Sequence, residues 1–467
     1  MNDLIRYCVE RFLPLKEHFR INYYPFEIIG IILGSYFEMY DYDIFLGLNQ
    51  EMCSVLRTPL NNIYYWPHHD NFEENKCIKL GPFKKIINKD SCVFGISLNN
   101  ELYSWGFTKP VMLGRKVSDT NSINVPTKIE LSDVKDVVCG YDYVVALTLN
   151  GDVYSWGNNK YNQLGRADQN TDIPGKINIP DVKELYCGHQ FTIAITDKNE
   201  FFGWGRNDRG QLGLTNHKTF TEPQRVFLSS NVRIKDIVLY DFVAILSESG
   251  ELYTWGGYGD AQLGLNAGSN IPQLILSKIK KIIYGKHWEA MAITLNHELY
   301  GWGDNKSGNL GLGHYNGQIT PVKIPLSNVK DIVLSQIHTM AITCDHQLYS
   351  WGNNESGQLG LGNCDNYNVP QKVGLFNVRK IFCNVWSSFA ITDTNELYSW
   401  GFNHHGQLGL GHINNVNVPQ KVAISNVKDL FLGGDNLTII VTYFGDIYYC
   451  GNWYSKISSV PKKLIEY

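Results

Sequence analysis

Seven Trp-Gly pairs recur along the chain at an almost constant spacing, and this period constrains the fold more than any other feature of the sequence. Consecutive tryptophans are 47 to 51 residues apart, and a Leu-Gly glycine follows each of them nine residues later. A fixed period of this length indicates repeated supersecondary units. The pairs begin at Trp105, Trp156, Trp204, Trp255, Trp302, Trp351 and Trp400. Arrays of similar units are typical of binding surfaces.

One repeat shows how each unit is built. Residues 370–409 contain four short segments of β-forming residues, separated by turns rich in Asn, Asp and Gly. Such turns indicate antiparallel hairpins. Positions 389–391 are apolar, which predicts an inner strand buried on both faces. Four antiparallel strands per unit, repeated radially, predict an all-β fold of β-propeller blades.

The C-terminal segment predicts how the ring of blades closes. Residues 460–465 repeat the Val-Pro-x-Lys segment that opens the units at 369 and 418, but no three further strands follow it. We therefore expect residues 461–465 to pair with the N-terminal blade as its missing first strand and to close the propeller. Residues 435–451 form an additional unit, in which Cys450 takes the place of the tryptophan. The strand count then gives eight blades.

The repeat, with its Leu-Tyr-Ser-Trp-Gly-Asn-Asn and Gly-Gln-Leu-Gly segments, resembles the regulator of chromosome condensation repeat family from about residue 77 to the C-terminus. The resemblance implies a closed propeller, which in this family usually has seven blades. The founding member is a guanine nucleotide exchange factor for a small nuclear GTPase, so the family also implies GTPase regulation. That activity uses a wedge inserted into one blade and a basic N-terminal tail. The even spacing and the non-basic N-terminus here argue against it.

The first 62 residues lack the repeat and predict a separate helical segment ahead of a propeller over residues 63–467. A proline followed closely by a glutamate indicates a helix start, and apolar positions continue through three short helices. This spacing resembles the F-box, which implies docking on a Skp-type adaptor of a cullin ubiquitin ligase. The candidate adaptor contacts are Pro25, Glu27, Ile28, Ile32, Leu33, Asp41, Phe45 and Leu48. A helical cap over one propeller face is the alternative.

Composition and charge argue against several classes of function. The net charge of −4 provides no basic field for nucleic acid. No apolar window of about 18 residues suggests a membrane span, and the acidic residues near the N-terminus do not fit a signal peptide. Cys-x-x-Cys pairs are absent, and the paired histidines lack partner ligands at metal spacing. We expect an intracellular protein, cytoplasmic or nuclear, with no catalytic residues, cofactor or metal ion.

The loops after the Trp-Gly pairs differ between repeats while the strands do not, which favours these loops as binding sites. The candidate partner contacts are Tyr161, Arg206, Arg209, Lys306, Glu355, His404 and His405. By contrast, His338, which precedes an inner strand, is predicted to be a packed core histidine. The sequence thus predicts a non-catalytic interaction protein whose propeller binds a partner or substrate. A GTPase regulator and a plain structural scaffold are the alternatives.

Overall fold

The computed structural model describes residues 54–57, 63–66, 78–80, 83–89, 92–106, 110–116, 125–228, 232–257, 261–266, 268–285, 288–453 and 456–463. Contacts divide the chain into two units, Met1–Asp43 and Ile44–Tyr467. All described residues belong to the second unit. The predicted helices and all eight adaptor-contact candidates lie outside the described residues. Ser54–Arg57 is a strand, so the predicted helical segment does not include these four residues.

The described chain is built from antiparallel sheets. A three-stranded sheet contains β1 (Ser54–Arg57), β2 (Ile63–Trp66) and β3 (Ile78–Leu80). Eight four-stranded sheets follow, and we call them blades 1 to 8. Short 3-10 helices lie at Pro110–Leu113 and Ala261–Leu263. The strand count that gave eight blades is therefore confirmed, against the seven usual in the family. The expectation that the blades close into a ring stays a prediction.

The first four blades contain strands β4 to β19. Blade 1 consists of β4 (Phe83–Lys89), β5 (Cys92–Ser97), β6 (Leu102–Gly106) and β7 (Thr127–Lys128). Blade 2 consists of β8 (Val134–Cys139), β9 (Tyr143–Thr148), β10 (Val153–Gly157) and β11 (Thr171–Ile177). Blade 3 consists of β12 (Val182–Cys187), β13 (Phe191–Thr196), β14 (Phe201–Gly205) and β15 (Phe220–Val226). Blade 4 consists of β16 (Ile234–Leu239), β17 (Phe242–Ser247), β18 (Leu252–Gly256) and β19 (Ser269–Leu276).

The last four blades contain strands β20 to β35. Blade 5 consists of β20 (Ile279–Tyr284), β21 (Ala290–Thr294), β22 (Leu299–Gly303) and β23 (Gln318–Lys323). Blade 6 consists of β24 (Val329–Leu334), β25 (His338–Thr343), β26 (Leu348–Gly352) and β27 (Tyr367–Lys372). Blade 7 consists of β28 (Val378–Cys383), β29 (Ser387–Thr392), β30 (Leu397–Gly401) and β31 (Val416–Lys421). Blade 8 consists of β32 (Val427–Gly433), β33 (Leu437–Thr442), β34 (Ile447–Trp453) and β35 (Lys456–Lys463).

The Pro-containing strand ends each blade, whereas the sequence had suggested that it opens the next one. In blade 6, Lys372 of β27 pairs with Tyr349 of the strand that precedes it in the chain. Likewise, Lys462 of β35 pairs with Tyr449 of β34. The predicted pairing of residues 461–465 with blade 1 is thus not the one observed for the described part of this segment. Blade 1 has its own fourth strand, β7, because each chain segment pairs with its nearest neighbour in sequence.

The repeat tryptophans connect neighbouring blades. Each indole Nε1 from blade 2 to blade 7 donates a hydrogen bond of 2.7 to 3.1 Å to a backbone carbonyl of the preceding blade. The glycine that ends the Gln-Leu-Gly segment lies against the indole, and a Cβ on Gly360 would be 2.7 Å from Trp400 Nε1. The leucine of the segment is buried beside them, as Leu408 shows. In blade 8, Cys450 occupies the tryptophan position, against Gly409.

The first strands of successive blades are also joined. Each carries a bulge, and in blade 2 the extra residue is Lys135, between the paired residues Val134 and Asp136. Lys135 Nζ donates to the Lys183 carbonyl of blade 3 at 3.0 Å. The corresponding residue is basic in all eight blades: Lys84, Lys135, Lys183, Lys235, Lys280, Lys330, Arg379 and Lys428. On the side opposite to the Trp-Gly loops, Lys235 and Arg379 bond to the next blade in the same way, through the Lys280 and Val427 carbonyls, whereas Lys330 contacts His346 of its own blade.

Candidate interaction surface

Two sets of loops emerge at the same end of every blade. One joins the first and second strands, and the other follows the Trp-Gly pair, or Cys450-Gly451 in blade 8, near the end of the third strand. Backbone hydrogen bonds connect the two sets, as between Arg206 N and the Gln190 carbonyl at 2.9 Å, and between Phe402 N and the Trp386 carbonyl at 2.9 Å. We call this end of the blades the Trp-Gly face. It is the surface that the sequence predicted to bind a partner.

Three of the predicted loop residues make contacts between neighbouring blades. Arg206 of blade 3 lies over the ring of Tyr161 of blade 2, with its Cζ 5.2 Å from the ring centroid. The same guanidinium donates to Gln190 Oε1 at 3.0 Å and forms an ion pair with Asp208 at 2.7 Å. The hydrogen bond with Asp208 raises the pKa of Arg206. Arg209, in the same loop, forms an ion pair with Asp241 of blade 4.

The other predicted loop residues lie in the next three blades, and each contacts its own loop. Lys306 of blade 5 is highly exposed, with Asp304 at 4.0 Å. In blade 6, the backbone N–H of Glu355 donates to the side chain of Asn353. In blade 7, the ring centroid of His404 is 4.5 Å from that of Phe402, and the centroid of His405 is 6.4 Å from it. The predicted set therefore divides into one cross-blade cluster and three separate loops.

The turns between first and second strands add residues that the sequence reasoning missed. Tyr141 and His189, from blades 2 and 3, have ring centroids 5.3 Å apart. His189 Nδ1 is 3.8 Å from Asp241 Oδ1, which extends the cluster into blade 4. The available signal was the charged or aromatic residue in this turn of several repeats, such as Tyr141, His189 and Asp241. Its meaning appears only when residues of neighbouring repeats are placed side by side.

His338 is a core residue, as the sequence predicted. It is fully buried, and its ring nitrogens Nδ1 and Nε2 lie 2.7 Å from Ser335 Oγ and 2.9 Å from Ser388 Oγ. Burial lowers the pKa of His338 to about 4. The ring is therefore neutral near pH 7 and takes part in packing between blades 6 and 7. It does not belong to the Trp-Gly face.

A pocket opens beside the cross-blade cluster. It lies between blades 3, 4 and 5 and is lined by His189, Tyr240, Asp241, Phe242, Gln262, Tyr284, Gly285 and Trp288. Trp288 is 52% exposed and has a backbone φ of 74°. A bulky residue in this left-handed region is strained, and such strain is concentrated at functional sites.

Clustered metal ligands and membrane-spanning helices are both absent from the described residues. In that part of the chain, no group of three or more His, Cys, Asp or Glu side chains is placed to hold a metal ion. Among the same residues, no helix is long and apolar enough to cross a membrane. The Trp-Gly face with its pocket is thus the main candidate site on the described surface.

The sequence matches two models of the Regulator of chromosome condensation (RCC1) repeat. One matches residues 99–147, 150–195, 198–239, 296–342, 345–391 and 394–440. The other matches residues 134–163, 182–211, 329–358 and 378–407. The first set covers more than half of the chain. Its matches stop at residue 239 and resume at 296, and most of the pocket lining falls between these positions.

Known proteins with similar sequences include one from a plant and one from yeast. The Ultraviolet-B receptor UVR8 of Arabidopsis thaliana is 31% identical over 261 residues, which are 54% of this chain and 48% of that protein. The guanine nucleotide exchange factor SRM1 of Saccharomyces cerevisiae is 25% identical over 335 residues, 66% of this chain and 57% of that protein. This chain spans about half the length of the first relatives it matches. Among solved structures, yeast RCC1 (Prp20) bound to Kap60 is 20% identical, with a TM-score of 0.44, over 71% of this chain and 86% of that chain.

Proposed function

The chain belongs to the Regulator of chromosome condensation (RCC1) repeat family, and on this basis we propose that it is a non-catalytic interaction protein that binds a protein partner on its Trp-Gly face. The observation that supports the proposal most is the cross-blade cluster. On these loops Tyr161 of blade 2 contacts Arg206 of blade 3, and Arg209 of blade 3 contacts Asp241 of blade 4, so that residues of three different blades are linked pairwise. The loops vary, whereas the third strands repeat closely, with the sequence Leu-Tyr-Ser-Trp-Gly in β6, β26 and β30.

The chemistry of the cluster suits protein recognition. Tyrosine and arginine are enriched among residues that dominate protein interfaces. Arg206 is held by Asp208, Gln190 and the Tyr161 ring, so little side-chain freedom remains to be lost on binding. Loops positioned by a rigid scaffold commonly carry binding function. The cluster is thus a prepared contact surface.

The test begins with the full chain as bait and cross-linking to identify a partner. The affinity of the purified partner is then measured for the wild type and for the double variant Arg206→Ala/Arg209→Ala. We expect an affinity loss of tenfold or more. The matched control is Arg225→Ala/Lys372→Ala, which removes two basic residues from fourth strands outside the Trp-Gly face. The proposal would be refuted if the affinity of the partner were unchanged for Arg206→Ala/Arg209→Ala but reduced for Arg225→Ala/Lys372→Ala.

GTPase regulation is a second candidate, supported by the relative SRM1, whose name identifies it as a guanine nucleotide exchange factor. Fold and family similarity are a weak basis for transferring an activity. The experiment is release of a fluorescent nucleotide from a panel of purified small GTPases in the presence of the full chain. Accelerated release from one member would favour this function. If neither a partner nor an exchange activity is found, the scaffold alternative gains support.

Adaptor docking by residues 1–62 stays a prediction from the sequence. It would be tested by capturing a purified Skp-type adaptor with the full chain and with a chain lacking residues 1–62. Substituting Ile28 and Leu33 by Asp in the full chain should abolish capture without changing the melting of the blades. Equal capture with and without residues 1–62 would exclude the F-box interpretation. Absence of capture, with residues 1–62 resistant to limited proteolysis, would favour the helical cap.

A further inference from the structure

The pocket on the Trp-Gly face has aromatic walls. Tyr240 and Phe242 have ring centroids 5.7 Å apart, and the centroids of Phe242 and Tyr284 are 5.1 Å apart. Trp288 and Tyr240 are large rings that remain about half exposed at the rim. Exposed aromatic rings of this size around one concave site are typical of recognition surfaces.

Two polar atoms in this pocket have no hydrogen bond within the described residues. They are Asp241 Oδ1 and the hydroxyl of Tyr284, and each is shielded from solvent. The second carboxylate oxygen of Asp241 is held by Arg209, and the nearest ring nitrogen of His189 is 3.8 Å from Oδ1, beyond hydrogen-bond length. Burial raises the pKa of Tyr284, so its hydroxyl stays protonated near pH 7. Buried polar atoms without partners are costly, and a ligand that bonds to them recovers this cost.

A second acidic residue, Glu289, lies next to the pocket lining. Glu289, which directly follows Trp288, is fully buried. Its Oε1 is so close to Gly285 that a Cβ on this glycine would be 1.9 Å away. Gly285, itself part of the lining, therefore leaves the space that the carboxylate occupies. Aromatic faces with carboxylates beside them form a surrounding that attracts cations.

The strained backbone of Trp288 supports a role for this ring in binding. Its φ of 74° is not shared by Trp386, which occupies the same position in blade 7 and is only partly exposed. The strain therefore does not follow from the repeat itself. It holds one large ring at the mouth of the pocket, in the part of the chain that the family's repeat model does not match. This pocket is a feature of this chain's own loops.

We propose that this pocket binds the guanidinium group of an arginine side chain presented by the protein partner. The inference deepens the proposed interaction function and rests on it. A guanidinium is planar, so it can stack on the Trp288 ring while its N–H groups donate to Asp241 Oδ1 and to the Tyr284 oxygen. A lysine ammonium would satisfy the carboxylate but cannot stack in this way. An anionic ligand is disfavoured because Asp241 and Glu289 would repel it. Arg209, the nearby cation, is already paired with Asp241.

The proposal is tested with the full chain and a fluorescein-labelled Gly/Ser peptide that carries one central arginine. Fluorescence anisotropy measures its affinity beside that of identical peptides with citrulline, lysine or glutamate at this position. Citrulline keeps the planar shape of arginine but has no charge. We expect the arginine peptide to bind about tenfold or more tightly than each of the others. Equal binding of citrulline or lysine, or tighter binding of glutamate, would overturn the assignment.

Variants locate the binding site. Trp288→Ala should weaken arginine-peptide binding about tenfold or more, and because Trp288 is exposed and strained, this change should not lower the melting temperature. Asp241→Asn should weaken binding similarly. The matched control Trp386→Ala should leave it unchanged. If Trp288→Ala binds the arginine peptide as tightly as the wild type, the peptide binds elsewhere and the assignment of this pocket is refuted.

The peptide assay does not use the natural partner, so its outcome is separable from that of the proposed function. If the peptide binds the pocket but partner affinity is insensitive to the Arg206/Arg209 change, only the proposed function fails. If the partner depends on these arginines but the arginine peptide does not bind, only the pocket assignment fails.

Discussion

Trp400 Nε1 donates a hydrogen bond of 2.9 Å to the backbone carbonyl of Gln358, a residue of the preceding blade. The same carbonyl accepts a bond of 2.7 Å from Ser388 Oγ. Two strands of blade 7 are thus fixed to one point of blade 6. Because this arrangement depends on a tryptophan in one repeat and a glutamine in the repeat before it, the two repeats stabilise each other.

We expect Trp400→Ala to lower the free energy of unfolding by about 3–5 kcal/mol, since it removes a fully buried indole and leaves a cavity between two blades. Chemical denaturation measures the change. Trp386→Ala, at a partly exposed tryptophan of the same blade, is the control and should cost much less. An unchanged stability in Trp400→Ala, together with lost partner binding, would instead assign this ring to recognition.

We expect Gly360→Ala to be destabilising by more than about 1 kcal/mol. The residue has a φ of 71°, and a Cβ would lie 2.7 Å from the Trp400 indole nitrogen. Gly374→Ala is the matched control, because nothing lies within 4 Å of a Cβ at that position. The two melting temperatures are compared with that of the wild type. Equal melting of both variants would show that the Gln-Leu-Gly segment tolerates a side chain at its glycine.

Deleting residues 460–467 should lower the melting temperature and promote aggregation. The deletion removes the partners of Tyr448 and Tyr449 and leaves β34 with an open edge. It also removes the ion pair of 2.8 Å between Lys463 and Asp446. A chain that ends at Lys463 is the control and should melt like the wild type. Identical melting of all three chains would mean that β35 contributes nothing to the stability of blade 8.

The buried His338 predicts a loss of stability in mild acid. Because its pKa is about 4 in the folded chain and about 6.5 when unfolded, the neutral ring is favoured by folding. The contribution of the neutral His338 ring to the free energy of unfolding is complete above pH 6.5 and is lost as the pH falls from 6.5 towards 4. The difference corresponds to about 3 kcal/mol at the acidic end.

The measurement is the free energy of unfolding against pH for the wild type and for His338→Ser. Serine is the residue at the same position of blade 7, Ser387, and it does not titrate in this range. The variant should show a smaller slope between pH 6.5 and 4, whereas the exposed-loop control His404→Ser should keep the slope of the wild type. If His338→Ser retains the full slope, other groups cause the acid sensitivity.

The number of four-stranded blades could be predicted because it depends on spacing within the sequence. The place of the Pro-containing strand could not. From Lys421 only a few residues lead to Val427 of the next blade, whereas a long loop separates Gly401 from Val416 of its own blade. The shorter connection suggested the wrong neighbour. Hydrogen bonding favours the sheet in which the segment returns antiparallel to the third strand.

The candidate site was predictable only in part, for a related reason. Arg206 and Tyr161 were found because their loops differ from those of other repeats. Asp241 and Trp288 belong to different blades and line the same pocket only because these blades pack side by side. The sequence of a single repeat does not show which residues of the next blade will lie beside it. The exposure of Trp288 could not be predicted from the sequence either, because most tryptophans of this chain are buried.

Every blade consists of one uninterrupted stretch of chain, and this arrangement has an evolutionary consequence. In some propellers, one blade is built from strands of both chain ends. In such a propeller, a sequence repeat and a blade do not begin and end at the same residues. Here, duplication of a single gene segment of one repeat length adds a complete four-stranded sheet, with its tryptophan and its Gln-Leu-Gly segment already in register. The chain can therefore gain or lose a blade without changing the strand pairing inside any other blade. Eight blades in a family that usually has seven are within reach of one such event.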